Sequence, residues 1–105
     1  MRVELLWWDG CPSHPEALED LRAVMAEEGL DPEAVELVEI VSDEQAESER
    51  FFGSPTIRID GKDAVPPGDG DPVGLSCRVY RLRDGRPSPT PDIDDLREAV
   101  AHATR

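Results

Sequence analysis

Cysteine is scarce in this chain: 105 residues carry two, Cys11 and Cys77. Two are too few for a disulfide framework and too few for a closed four-cysteine zinc site, which leaves reactive or inert free thiols. Positive charge is short as well. Eleven Lys and Arg face 24 Asp and Glu, for a formal net charge of −13. That balance repels polyphosphates and anionic lipid, so no nucleic-acid or membrane partner is expected, and a cationic or neutral partner fits better. No apolar run approaches the roughly 18 residues of a membrane span. The N-terminus lacks a basic region followed by a signal-type apolar segment, so a cytoplasmic location is expected. A metal site would draw on at most Cys11, His14 and either Cys77 or Asp9, thin for structural zinc though conceivable for transient binding of a soft metal; no metal or cofactor is assigned. Internal repeats and low-complexity tracts are absent.

At 105 residues and 38% apolar composition, residues 1–105 have the size of a single domain with a modest core. The chain is organised around Asp9-Gly10-Cys11-Pro12-Ser13-His14, where an apolar strand-like run, Val3 to Trp8, gives way to an amphipathic helical run, Pro15 to Glu28. A cysteine at such a junction faces unpaired backbone N–H groups and the positive end of the helix dipole, both of which favour thiolate over thiol.

In chain order, apolar residues on both faces of the first strand suggest a central position. Leu18, Leu21, Val24 and Met25 then form the core stripe of a helix that Gly29 can stop. Its start is ambiguous: Ser13 with Glu16 makes a capping box, or Cys11 caps with Pro12 at the first helical position. Val35 to Val41 is rich in β-branched residues and reads as a second buried strand. Ser42 and Gln45 form a second capping box, opening a short helix from Asp43 to about Phe52 that Gly53 ends. Gly53-Ser54-Pro55-Thr56 leads into a third strand, with Pro55 at a position where a cis bond is a candidate, and Asp60-Gly61 ends it. Residues 61 to 75 form a long loop rich in Gly, Pro and Asp, a functional cover or a mobile segment. Cys77 to Leu82 reads as a fourth strand, and Thr90-Pro91 starts a last helix with Ile93, Leu96, Val100 and Ala103 on its core stripe.

The order β-α-β-α-β-β-α, a Cys-Pro at the first strand-to-helix junction, and Gly53-Ser54-Pro55-Thr56 about forty residues later resemble the thioredoxin-like superfamily over nearly the whole chain. The resemblance implies an α/β fold with a mixed four-stranded sheet and helices on both faces. It implies that Pro55 is cis and faces Cys11 across a groove, where Ser54, Pro55 and Thr56 bind an extended thiol substrate. Asp9-Gly10-Cys11-Pro12 and Gly74-Leu75-Ser76-Cys77-Arg78-Val79-Tyr80 resemble more closely a group of small bacterial thioredoxin-family proteins, some of them labelled alkylmercury lyases. The chain departs from the dithiol pattern. The second cysteine is replaced by His14, giving Cys-x-x-His, and the buried acid of the first strand by Leu5, so an internal Cys-x-x-Cys disulfide and its proton relay are missing.

One helical turn apart, the His14 imidazolium can stabilise a Cys11 thiolate. The leading expectation is a thiol-redox protein, an oxidoreductase of one-thiol type. Cys11 is its nucleophile and His14 its tuner, acting on a disulfide or low-molecular-weight thiol substrate. A mixed disulfide then needs a second thiol, free in solution or from Cys77. A simple hairpin with the third strand would hold Cys77 roughly 13–17 Å from Pro55, beyond disulfide reach, so a buried structural cysteine is the preferred reading. A loop folded over the groove would bring it near. Two alternatives stay open. One is a non-catalytic thioredoxin-like module that binds a peptide or soft metal; the other is organomercurial cleavage by Cys11 and Cys77 with Asp9 as proton donor. Arg58, Arg78, Arg81 and Arg83 are read as partners of surface carboxylates, and His102 as solvated.

Overall fold

The computed structural model describes residues 1–68 and 70–104. Asp69, within the long loop expected at 61 to 75, lies outside the described residues. The first strand, β1 (Val3–Trp7), runs into helix α1 (His14–Glu27); a 3-10 turn over Pro32–Ala34 leads to β2 (Val35–Glu39). Helix α2 (Asp43–Ser48), β3 (Thr56–Ile59) and β4 (Lys62–Asp63) follow. A small ribbon of β5 (Tyr80–Arg81) and β6 (Pro87–Ser88) precedes α3 (Ile93–Ala103). The architecture is mixed α/β. Its four-stranded sheet has the order β2-β1-β3-β4, with β1 parallel to β2 and antiparallel to β3, and β3 antiparallel to β4.

Strand alternation divides the core. Val3 and Leu5 point to one face and pack with Leu21, Val24 and Met25 of α1 and Leu96 and Val100 of α3. Leu6 points to the other, among Ile40, Ala46 and Phe51. The central position expected for β1 therefore holds. Burial of the largest of these side chains, Phe51 at 0% exposed, contributes on the order of 2–3 kcal/mol by area.

Four expectations are corrected. The second strand is at the sheet edge rather than buried: Leu37 is 52% and Val41 67% exposed, because β1 is its one neighbour in the sheet. The fourth strand of the sheet is Lys62–Asp63 and not Cys77 to Leu82, of which Tyr80–Arg81 alone is strand and pairs in the separate ribbon. Ser13 occupies the N-cap of α1 without a side-chain capping bond, so its capping box with Glu16 does not form. The last helix starts after Thr90-Pro91, at an Asp92 cap whose carboxylate accepts from Asp94 N. The Ser42 cap of α2 does form, Oγ accepting from Gln45 N at 3.1 Å, while Gln45 Oε1 reaches back to Val41 N.

Candidate functional site

Beyond the end of β1, Asp9 and Gly10 turn the chain into α1, and Cys11 N donates to the Trp8 carbonyl at 3.1 Å. Cys11 is 2% exposed. Its sulfur is joined by a disulfide to Cys77, 66 residues away, with the Cα atoms 5.5 Å apart. The preferred reading of Cys77 as a buried structural cysteine on a hairpin strand is overturned: the residue is exposed and bonded.

The reason lies in the path of the loop. The short β4 uses up the hairpin with β3, and Ala64 N still donates to Ile57 O at 2.8 Å. The chain then returns along the sheet instead of pairing onward, and Gly74 N meets Phe51 O at 3.0 Å. Residues 74–78 thus arrive beside Ser54 running parallel to it. Ser54 N donates to Ser76 O at 2.8 Å and Arg78 N to Ser54 O at 2.9 Å. Leu75 packs against the cluster of Leu6, Ile40, Ala46 and Phe51.

This strap needs a glycine beneath it. Gly53 has φ +119°, and a Cβ built on it would stand 2.9 Å from Arg78 N and 3.0 Å from Arg78 Cα. Only the missing side chain lets the two backbones approach. Arg78 anchors the strap. Its side chain, 6% exposed, lies 3.9 Å from Asp63, donates through Nη2 to Val65 O and stacks over the Tyr80 ring with 4.4 Å to the centroid. Tyr80 in turn donates to Pro55 O at 2.5 Å. Burial pushes the Tyr80 phenol above its ordinary pKa, with Arg78 acting in the opposite direction, so the phenol stays a neutral donor.

The groove residues are all engaged. The Ser54–Pro55 peptide is cis, as the resemblance implies. Ser54 Oγ accepts from Trp8 N at 3.0 Å, and Thr56 Oγ1 donates to Gly53 O at 2.7 Å. Ser54, Pro55 and Thr56 are buried, and both backbone groups expected to receive an extended substrate are taken by residues 76 and 78.

His14 stacks on Trp7, ring centroids 4.2 Å apart and planes at 18°, with a buried Nδ1 that has no hydrogen-bond partner among the described residues. The polar neighbour of the Cys11 sulfur is instead Ser13 Oγ, at 3.5 Å. Asp9 is an exposed turn residue. Cys11 and Cys77, the two sulfurs weighed for carbon–mercury cleavage, are bonded to each other rather than standing as two thiolates. Among the described residues, no group of three or more His, Cys, Asp or Glu is arranged to hold a metal ion.

Of the four arginines read as surface partners, Arg58 pairs with Glu49 and Asp63 and Arg83 with Asp95 and Glu98. Arg81 donates to Gly85 O, whereas Arg78 is buried in the strap. Ser13 and Arg78 are the residues of the site that sequence reasoning missed; Gly53 stands in the Gly53-Ser54-Pro55-Thr56 motif, but its role under the strap depends on Arg78 lying against it. Comparison of the chain with protein-family models, with curated proteins and with solved structures finds no match.

Proposed function

We propose that this chain is a thioredoxin-like thiol–disulfide redox protein whose working couple is Cys11 and Cys77. The second thiol comes from the strap instead of from the helix turn. The observation that carries the reading is the bond between the junction cysteine and Cys77 beside the cis Ser54–Pro55 peptide. In the oxidising direction, a substrate thiolate attacks the bridge, forms a mixed disulfide and releases one protein sulfur as thiolate. A second substrate thiolate then displaces the other, leaving a substrate disulfide and two protein thiols. Two electrons pass from substrate to protein, and the substrate protons go to the protein sulfurs or to water. The reverse sequence reduces a substrate disulfide. His14 enters this couple only through its place in the first turn of α1, because its ring stacks on Trp7 and the hydroxyl of Ser13 is the polar group beside the Cys11 sulfur. Carbon–mercury cleavage is less well supported, because Asp9 is an exposed turn residue with no side-chain hydrogen bond among the described residues.

The test is equilibration of native protein in glutathione redox buffers, followed by alkylation and mass measurement. A single two-electron transition is expected for the wild type, with no intramolecular bridge in Cys11→Ser or Cys77→Ser. A bridge that opens only after denaturation is a structural crosslink and overturns the proposal.

A further inference from the structure

The two sulfurs of the bridge stand in unequal surroundings. Cys11 is 2% exposed, enclosed by the β1-to-α1 turn and by the strap, whereas Cys77 is exposed. An attacking thiolate approaches the sulfur it bonds to from the side opposite the leaving sulfur, so access decides which end reacts. Cys11 presents almost no surface to an incoming thiolate. Cys77 presents far more.

The strap also decides what kind of thiol can arrive. A peptide substrate held by strand pairing needs the N–H and C=O of Ser54, and both are bonded to Ser76 and Arg78. Gly53 permits backbone contact with Arg78 at a spacing that leaves no room for another chain between them, and Leu75 and Arg78 fix the strap on either side of Cys77. While the bridge is closed, the reactive sulfur is presented by the very segment that fills the peptide-pairing edge.

Resting on the redox reading above, we infer that Cys77, not Cys11, is the sulfur attacked in the oxidised protein, and that the attacking species is a low-molecular-weight monothiol. The thiolate bonds to Cys77 Sγ, the sulfur–sulfur bond breaks, and its electron pair leaves with Cys11. The departing Cys11 thiolate sits at the N-terminal end of α1. Ser13 Oγ stands 3.5 Å away, and since that hydroxyl does not cap the helix it is free to donate to the sulfur. A second monothiol then attacks the small-thiol sulfur of the adduct, giving a disulfide of two small thiols and the Cys77 thiolate. Two thiols are oxidised and one bridge is reduced.

The experiment uses the full-length oxidised wild type with reduced glutathione as probe. The reaction is stopped with acid at early times, free thiols are blocked with N-ethylmaleimide, and the protein is digested with trypsin. Cleavage after Arg2 and Arg22 isolates Cys11, and cleavage after Lys62 and Arg78 isolates Cys77. Glutathione on the Cys77 peptide with maleimide on the Cys11 peptide is expected in at least tenfold excess over the reverse labelling. Glutathione on Cys11 in equal or greater amount overturns the assignment while leaving the redox couple standing. A bridge that does not open in native protein at any glutathione concentration defeats the redox reading, and the assignment with it.

Discussion

Reducing the bridge releases a crosslink that spans 66 residues, and the size of the effect can be worked from that separation. In the chain-entropy account, a loop of this length costs the unfolded ensemble about 4 kcal/mol of conformational freedom, toward the upper end of what single disulfides contribute. The whole stability of a domain this size is about 5–15 kcal/mol. The reduced protein should therefore stay folded but lose a large share of its margin, with Tm falling by roughly 15–30 °C at about 4–8 °C per kcal/mol. The assay is urea and thermal unfolding of oxidised and phosphine-reduced wild type, with Cys77→Ser as the control.

Two features of the data test the reasoning beyond the midpoint. The denatured chain without its crosslink exposes more surface, so the m-value should rise on reduction. Reduced wild type should behave like Cys77→Ser, which itself ignores reductant. A loss below about 1 kcal/mol refutes the account outright, since the entropy relation gives several times that for a loop this long. A large loss at constant m refutes it differently, by placing the effect in the native strap rather than in the unfolded chain.

Two further predictions follow from the geometry. Gly53→Ala puts a Cβ 2.9 Å from Arg78 N at a residue with φ +119°, so the strap must lift off Ser54 and the bridge should be reduced several-fold faster by a small thiol; an unchanged rate in a folded variant contradicts the close backbone approach. In acid, Glu27 is held below the ordinary carboxylate range by the Arg97 hydrogen bond, and Asp92 by backbone N–H groups of Arg83 and Asp94. Groups with depressed folded pKa contribute stability above about pH 4 that is lost as pH falls through the folded values. Asp20, raised by burial, works the other way. The urea midpoint should be lower at about pH 3 than at about pH 6, and a flat or rising midpoint contradicts this.

The alternating and helical patterns from Val3 to Ile59 located β1, α1, β2, α2 and β3, because each of these segments buries an apolar stripe that its own periodicity displays. Burial of β2 was not legible: Val35 to Val41 has the composition of a covered strand, but whether a strand is central or at an edge depends on how many neighbours the sheet supplies. Cys77 failed for a longer-range reason. Cys77 to Leu82 alternates like a strand, and a hairpin is the shortest connection to the third strand. The two residues of β4 satisfy that hairpin first, and the loop then carries the chain back to the other end of β3. Nothing local to Cys77 records that return. The pairing of Ser54 with Ser76 and Arg78 is a meeting of two segments with no shared periodicity. Its traces are single residues whose purpose appears only in the fold, Gly53 for the backbone approach and Arg78 for the buried anchor.

For the proposed couple, the absence of a second cysteine at position 14 changes the physics as well as the geometry. In a Cys-x-x-Cys pair the loop closed by the bridge is one helical turn, so oxidation barely alters the freedom of the chain. Here the bridge closes most of the domain, and the strap that carries Cys77 is held by its bonds to Ser54 and by Leu75 against the Phe51 cluster. Any stability the bridge gives the folded state must, by linkage, appear equally as stability the fold gives the bridge. The contacts of Leu75, Arg78 and Gly53 therefore bear directly on how readily Cys11 and Cys77 are reduced. In the redox reading proposed above, loosening the strap would make the couple more oxidising, and tightening it would make the bridge harder to reduce.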